Sequence, residues 1–222
     1  MVMRLQYLRK DATRDFIMLN IVGMMKCLGY LILLANNAYG CWDKYTDWSN
    51  AGGGNTVFLD RQRLNCGGSG NVLNMFKLER SGSDPNQIRY KYKCCKHTGS
   101  SCSTRKVNNR FTVDGGGEVI YLDRQRVACN SNGLVNDFKL SRNGAHNKYR
   151  YEYYCCDLNR SRLSCHDSST SFTDEGNRKS FYLDRQTVAC SNGNFLQSFR
   201  LKRNSPANDR IRYDITCCRV NY

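Results

Sequence analysis

Proline, histidine and acidic side chains are all scarce in this sequence. The 222 residues include two prolines and three histidines, and 19 acidic side chains stand against 34 basic ones. With so few prolines and no low-complexity stretch, we expect no linker that divides the chain into separate beads. The 13 cysteines form no Cys-x-x-Cys pair and the histidines occupy unmatched positions, which argues against zinc. We therefore expect no metal and no cofactor.

The sequence also lacks the signatures of catalysis. No nucleophile–base–acid order and no paired carboxylates stand out. The glycine runs precede strand-like segments without a following helix that could hold a phosphate. His146 and His166 have no counterparts at matching positions and are interpreted as surface residues. These absences favour a protein that is not an enzyme.

The most apolar segment lies near the start of the chain. Residues 16–38 are mostly apolar, but Lys26 interrupts them, which leaves an uninterrupted part too short to span a bilayer. Ala38 and Gly40 place small residues before a cleavage position at Cys41, which predicts a signal peptide over residues 1–40. A membrane anchor is the alternative. Residues 1–40 carry five basic and two acidic side chains, so cleavage lowers the net charge from +15 to about +12.

One motif, Leu-Asp-Arg-Gln, occurs three times in the remaining chain, at residues 59–62, 122–125 and 183–186. Each copy is followed by a cysteine, an alternating Phe-x-Leu run and a closing basic–aromatic run that ends in two cysteines. Repetition at a nearly fixed period predicts similar structural units. The three repeats are assigned to residues 41–101, 102–164 and 165–222.

The sequence pattern predicts β-structure throughout the three repeats. Aromatic and β-branched residues just before each motif, at 57–59, 119–122 and 181–183, predict short strands. The closing run alternates strictly, with Ile88, Tyr90 and Tyr92 on one face, and no helical period follows residue 40. About four strands per repeat with one apolar face must bury those faces together. We predict a single all-β, pseudo-threefold domain over residues 41–222, β-prism-like, with a β-trefoil as the alternative.

Twelve cysteines remain after residue 40, four in each repeat, which is typical of a disulfide framework in a secreted protein. Adjacent residues in a strand point to opposite faces, so Cys94 and Cys95 are not expected to bond each other. Cys94, on the apolar face, is expected to pair with Cys66, and the outward Cys95 with Cys41. The same rule predicts Cys129–Cys155, Cys102–Cys156, Cys190–Cys217 and Cys165–Cys218. Bonds of the second kind could instead link successive repeats.

The polar part of the repeated motif admits two interpretations. As a sugar site, its carboxylate and amide would bind hydroxyl groups and its arginine an anionic group. As a structural element, an Asp–Arg pair and a glutamine would satisfy backbone groups at a bend in every repeat. The structural interpretation is favoured. The residues concerned are Asp60, Arg61, Gln62, Asp123, Arg124, Gln125, Asp184, Arg185 and Gln186.

Basic side chains on the later strands are the candidates for ligand binding. Most lie on the polar face of their strand, namely Lys77, Arg89, Lys91, Lys139, Arg150, Arg200, Lys202 and Arg212. Arg80, Arg142 and Arg203 follow the apolar face by parity and are expected at strand ends, where they can reach water. Acidic residues are few on the polar faces, which indicates a positive surface that would bind a polyanion such as a sulfated glycosaminoglycan.

The second repeat shows a family resemblance. Leu122-Asp123-Arg124-Gln125-Arg126-Val127-Ala128-Cys129, the Gly133-Leu134-Val135-Asn136-Asp137-Phe138 run and the closing Tyr149–Cys156 segment resemble a dermatopontin repeat. The likeness recurs across nearly all of residues 41–222. The closing strands depart from it, because they carry Arg-Tyr where the family has an Asp-Arg-x-Trp pattern. Vertebrate members are matrix proteins that bind proteoglycans and cells, and invertebrate relatives include agglutinins.

These observations together predict a secreted glycan- or matrix-binding protein. Its partners would be extracellular glycans, proteoglycans or matrix proteins, and a secreted location argues against nucleic acid. A structural matrix or coat component that self-assembles through protein–protein contacts is the alternative. Asn159 begins the one Asn-x-Ser/Thr sequence and is expected to be glycosylated. No stable membrane insertion is expected after signal cleavage.

Overall fold

The structure, a computed structural model, describes residues 40–97, 102–159, 161–207 and 209–221. Apart from Gly40, the predicted signal peptide lies outside these residues. No helix within the described ranges combines the length and hydrophobicity that a membrane crossing requires.

Fifteen strands in the described ranges form three antiparallel sheets of five strands each, which confirms the all-β prediction. The first repeat contributes β1 (Cys41–Tyr45), β2 (Ser49–Asn50), β3 (Arg63–Asn65), β4 (Asn71–Arg80) and β5 (Gln87–Lys96). The second contributes β6 (Cys102–Asn108), β7 (Thr112–Val113), β8 (Arg126–Ala128), β9 (Gly133–Arg142) and β10 (Lys148–Leu158). The third contributes β11 (Arg162–Ser169), β12 (Thr173–Asp174), β13 (Thr187–Ala189), β14 (Phe195–Arg203) and β15 (Arg210–Asn221).

Each sheet is completed by a short strand from a different repeat. Strand β3 pairs with β9, β8 pairs with β14, and β13 pairs with β4. The exchange is cyclic, because the third repeat completes the sheet of the first. Three separate sheets around one core correspond to the β-prism-like arrangement and not to a trefoil. We name them sheet 1 (β1, β2, β4, β5, β13), sheet 2 (β3, β6, β7, β9, β10) and sheet 3 (β8, β11, β12, β14, β15).

Three phenylalanines from equivalent positions meet in the core. The ring centroids of Phe76, Phe138 and Phe199 lie 5.1, 4.9 and 4.8 Å apart in pairs. Tyrosines of the closing strands surround them, and burial raises the pKa of the Tyr151 and Tyr213 phenols. These rings are the inward face that strand alternation predicted, and their contacts hold the three sheets together.

The segments that lead into each motif, together with its Leu-Asp-Arg, are 3-10 helices and not strands, which corrects the sequence prediction. They cover Thr56–Arg61, Val119–Arg124 and Ser180–Arg185. The N–H of Gln62 donates to the Leu59 carbonyl at 3.1 Å, which ends the first of these helices. The buried Leu59 reaches the core from such a turn, and a short apolar run does not distinguish the two conformations.

All six disulfides link cysteines of the same repeat in the predicted pairs. They are Cys41–Cys95, Cys66–Cys94, Cys102–Cys156, Cys129–Cys155, Cys165–Cys218 and Cys190–Cys217. The expectation that Cys95 faces outward is wrong, since its exposed fraction is 0%. A second, smaller apolar cluster that includes Val72, Leu134 and Phe195 covers it. Each bond closes a loop in the unfolded chain and contributes roughly 3–4 kcal/mol in the chain-entropy model.

Candidate functional site

The glutamine of the repeated motif is a structural residue. Gln125 is 2% exposed, and its amide donates to Thr112 Oγ1 at 2.7 Å and to the Arg110 carbonyl at 3.2 Å. Its Oε1 accepts from the Tyr151 backbone N–H at 3.3 Å. Gln62 and Gln186 are equally buried and make matching bonds. The glutamine therefore joins the closing strand of each sheet to the loop and short strand beside it.

The aspartate of the motif binds an arginine of another repeat, and not the arginine next to it. Asp60 accepts from Arg142 at 2.6 Å, and Asp184 accepts from Arg80 at 2.6 Å. Arg203 lies 2.7 Å from Asp123 in the third such pair. Arg80, Arg142 and Arg203 do end their strands with about a third of each side chain exposed, and the carboxylate partner is the feature that the sequence did not predict. Three partly buried ion pairs connect the repeats in a ring.

The arginine of the motif is exposed and stacks on an aromatic ring of its own 3-10 helix. The guanidinium carbon of Arg61 lies 4.4 Å from the Phe58 ring centroid, and that of Arg124 lies 4.2 Å from the Tyr121 centroid. Arg185 stacks on Tyr182 at 4.3 Å. The three residues of the motif thus have separate roles, so the motif does not form a single sugar site.

An exposed aromatic residue precedes the two-residue strand in each repeat, and the sequence analysis did not identify it as a candidate. Trp48, Phe111 and Phe172 have exposed fractions of 43%, 38% and 36%. The guanidinium of an arginine on the closing strand stacks on each ring. The guanidinium carbon of Arg89 lies 4.4 Å from the Trp48 ring centroid, and Arg150–Phe111 and Arg212–Phe172 match it at 4.4 and 4.6 Å. In every repeat an aromatic residue stands directly before a Ser or Thr, and this shared sequence pattern could have identified them as candidates.

A carboxylate holds each of these arginines in place. Arg89 Nε lies 2.9 Å from Glu79 in sheet 1, and Arg150 lies 2.7 Å from Glu152 in sheet 2. In sheet 3, Arg212 Nε lies 2.9 Å from Asp214. Since a guanidinium has five N–H donors, the ion pair fixes its position and still leaves donors for a ligand.

Two clefts related by the repeat contain these aromatic–arginine pairs. Their volumes are about 420 Å³ in sheet 2 and about 350 Å³ in sheet 1. Both are lined by the aromatic ring, a strand lysine, two arginines and the motif aspartate of another repeat. In sheet 2 these are Phe111, Lys139, Arg142, Arg150 and Asp60. In sheet 1 they are Trp48, Lys77, Arg80, Arg89 and Asp184.

Most of the strand lysines that were predicted as ligand-binding also have acidic neighbours. Lys91 Nζ lies 3.3 Å from Asp43, Lys139 Nζ lies 3.8 Å from Glu152, and Lys202 Nζ lies 3.4 Å from Asp214. These pairs are partly exposed and contribute little to stability. Among the predicted ligand-binding residues, only Lys77 and Arg200 form no ion pair within the part of the chain that the structure describes.

One group of potential metal ligands occurs among the described residues, and its chemistry does not suit a metal. His97 lies beside Cys102 and Cys156, but these two cysteines form a disulfide with an S–S distance of 1.96 Å. A thiolate is the form that binds zinc, and a disulfide sulfur offers none. Burial lowers the pKa of His97, whose Nε2 lies 3.6 Å from the sulfur of Cys156. The residues therefore form a buried structural cluster.

The comparisons with known proteins return nothing for this chain: no family model, no curated protein and no solved structure matches it. Asn159, the predicted glycosylation site, is exposed in the bend after β10.

Proposed function

We propose that this is a secreted protein that binds acidic extracellular glycans through the basic, aromatic-rimmed clefts of its sheets. The all-β fold with six disulfides is compatible with an extracellular protein. The resemblance to dermatopontin repeats supports the same class of ligand, since proteoglycans carry sulfated chains. Glycans on cell surfaces or in the matrix are the proposed partners.

The repeated aromatic–arginine pair carries this proposal. An exposed ring such as Trp48 offers an apolar face that can pack against the C–H face of a sugar. The guanidinium of Arg89 above it offers donors for sulfate or carboxylate oxygens. Because Glu79 already fixes this arginine, binding would lose little side-chain entropy. The sites are therefore preorganised.

The charge balance supports an anionic ligand. Residues 41–222 carry a net charge of about +12, although many strand cations have acidic neighbours. Such an excess attracts polyanions over about a Debye length and is screened by salt. Related sites on one rigid domain would also bind multivalently, which would allow the protein to cross-link glycan chains.

A glycan array that includes sulfated, carboxylated and neutral chains tests the proposal on residues 41–222. We expect retention of acidic chains that weakens as salt is raised. A triple variant, W48A/F111A/F172A, is expected to bind at least tenfold more weakly, because all three exposed rings are lost. W42A is the matched control, since Trp42 is similarly exposed, at 38%, but lines neither aromatic cleft. Absence of binding to any acidic chain at low salt would refute the proposed function.

A structural role through self-assembly is the second candidate, and the free sheet edges favour it. Strands β1, β6 and β11 are the outer strands of their sheets in the described residues. Most side chains of β11 are exposed, and such an edge can pair with a strand of another chain. Size-exclusion chromatography at varied salt distinguishes the candidates, because assembly without glycan is expected only for the second.

A further inference from the structure

The three sheets differ at the place where the short incoming strand meets the central strand. In sheet 2, Arg63 on β3 lies opposite Lys139, and its Nη2 lies 2.7 Å from Asp137. In sheet 3, Arg126 on β8 lies opposite Arg200. The residue that replaces Asp137 there is Ser198. The carboxylate that neutralises the incoming arginine is therefore present in sheet 2 and missing in sheet 3.

This difference leaves two arginines side by side in sheet 3. Among the described residues, the one hydrogen bond of the Arg126 guanidinium joins its Nη2 to the Ser198 hydroxyl, at 3.3 Å, and Arg200 Nε donates to the Asp123 backbone carbonyl at 2.7 Å. Neither guanidinium forms an ion pair with any residue in the described ranges. Like charges directly opposite on neighbouring strands are unfavourable. An external anion would relieve the repulsion between Arg126 and Arg200.

A cleft of about 470 Å³ opens at this place, within the size range of small-ligand sites. Its charged lining comprises Arg126, Arg200, Lys202, Arg212, Asp167 and Asp214. Both carboxylates are engaged, because Asp214 binds Arg212 and Lys202, and Asp167 accepts a hydrogen bond from Thr216 at 2.7 Å. The four cations outnumber the two carboxylates. The hydroxyl groups of Ser168 and Ser169, which also line the cleft, add neutral donors.

In sheet 2 the side chain of Asp137 occupies the corresponding place. The cleft lined by Arg63, Asp137 and Lys139 measures about 110 Å³. Asp137 is 3% exposed and accepts from Arg63 Nε at 2.9 and 3.1 Å. Sheet 2 thus shows that a carboxylate fits beside an arginine at this position of the incoming strand. In sheet 1 the incoming residue is Thr187, so that sheet has no such arginine.

We infer that the sheet 3 cleft is an oxyanion subsite, in which Arg126 and Arg200 bind a sulfate or carboxylate group of the glycan. The bound group would occupy the place that the Asp137 carboxylate fills in sheet 2. This inference rests on the proposed function and narrows it, since it assigns recognition of the anionic group to one of the three sheets. Arginine suits this role because its planar N–H donors bind two oxygens at once.

Exchanging the two distinguishing residues tests the inference on residues 41–222. S198D supplies the internal carboxylate to sheet 3 and is expected to lower the affinity for a sulfated hexasaccharide from heparin by about tenfold or more. D137S removes it from sheet 2 and is expected to leave the affinity of the sheet 3 cleft intact while adding a second anion site beside Arg63 and Lys139. The control N192D introduces the same charge in the exposed turn before β14 and is expected to bind like the wild type.

Isothermal titration with three hexasaccharides gives the readout: heparin-derived, hyaluronan-derived and neutral dextran-derived. Loss of binding in S198D for either acidic ligand supports the subsite. Because heparin carries both groups and hyaluronan only carboxylates, a loss confined to heparin indicates sulfate, whereas a loss for both shows that a carboxylate is sufficient. If S198D does not fold, R126T replaces it, because threonine is the native residue at this position in sheet 1. Its expected loss is similar.

Failure of the inference differs from failure of the proposed function. If the wild-type protein binds neither acidic hexasaccharide, the proposed function is wrong. If it binds them and S198D or R126T binds as tightly as N192D, glycan binding stands and the subsite is overturned. An equal loss for the neutral ligand would also overturn it, because an oxyanion site has no reason to recognise dextran.

Discussion

At the residue scale, neighbouring positions of one motif have different physical environments. Gln125 is buried and fully hydrogen-bonded, while the adjacent Arg124 is exposed and stacks on Tyr121. Asp123 binds Arg203 of the next repeat. Identical sequence in three repeats therefore reflects the requirements of the fold at the aspartate and the glutamine. The strand arginines near the clefts are the residues that can contact a ligand.

Replacing Gln125 with alanine is expected to lower the free energy of unfolding by about 2–3 kcal/mol, because its partners include the buried Tyr149 carbonyl and Tyr151 N–H. R124A is the control, with an expected loss below about 1 kcal/mol, since it removes an exposed cation–π contact. Urea unfolding of both variants measures the difference. Equal losses would show that the glutamine is not the structural part of the motif.

His97 is expected to make stability sensitive to acid. Burial lowers its pKa below the ordinary 6.5, so the unfolded chain binds a proton more readily than the folded one. Stability that is present above pH 6.5 is then lost as the pH falls toward the lowered pKa of the folded state. The equivalent residue in the second repeat is Leu158, so H97L keeps an apolar group in a position that accepts one.

Thermal unfolding between pH 7 and pH 5 checks this expectation. H97L is expected to lose less stability over that interval than the wild type. H146L is the control, because His146 lies in an exposed turn outside the buried cluster. An identical pH profile for wild type and H97L would contradict the assignment of the acid response to His97.

At the element scale, glycine turns set the start of the 3-10 helices. Asn55 caps the first helix by accepting from the Val57 N–H at 3.0 Å. The side chain of Asn55 packs directly on Gly117, a residue of the second repeat with a φ of +84°. The backbone N–H of Thr56 also donates to the Gly117 carbonyl at 2.8 Å. One turn of the second repeat thus supports a helix of the first.

Gly117→Ala is expected to destabilise the protein by at least about 1 kcal/mol more than Gly116→Ala. Both glycines have positive φ, at +84° and +73°, so both substitutions strain the backbone. Only the Cβ at 117 would overlap the Asn55 side chain, whereas the position at 116 is open. Chemical denaturation of the two variants gives the comparison. A larger loss for G116A would show that the contact with Asn55 is not tight.

At the scale of the whole molecule, covalent links stabilise single repeats and non-covalent contacts join the repeats to one another. All six disulfides lie within single repeats, whereas strand exchange and the Asp–Arg pairs connect different repeats. The third repeat closes the ring, because β13 pairs with β4 and its Asp184 binds Arg80. We therefore expect the described domain to unfold as one cooperative unit and not as three disulfide-bonded beads.

A fragment of residues 41–164, which retains two repeats and their disulfides, is expected not to fold. It would lack β13 beside β4, leave β8 without β14, and expose Phe76 and Phe138 where Phe199 packs. Near-ultraviolet circular dichroism and urea unfolding should show no fixed tertiary structure and no cooperative transition. The complete domain, residues 41–222, is the control. A cooperative transition in the fragment would contradict the closed-ring description.

Features that depend on local pattern were predictable from the amino-acid sequence. Alternation in the closing strands placed Tyr90 and Ile88 inward, and vicinal cysteines of opposite parity gave Cys66–Cys94, Cys129–Cys155 and Cys190–Cys217. The other three bonds were expected within repeats, but only the structure excluded links between successive repeats. The repeat period gave the threefold all-β architecture. These features follow from geometry within one strand or one repeat, where a two-residue period decides which face a side chain occupies.

The partners of the charged side chains were decided by tertiary structure. Sequence alone did not show that Arg142 meets Asp60, or that Arg126 meets a serine where Arg63 meets Asp137. The two partners of each pair lie some 70 to 80 positions apart in the sequence. They come together only because each repeat contributes a strand to the sheet of another repeat. Strand exchange therefore settles which cations are neutralised and which remain available to a ligand.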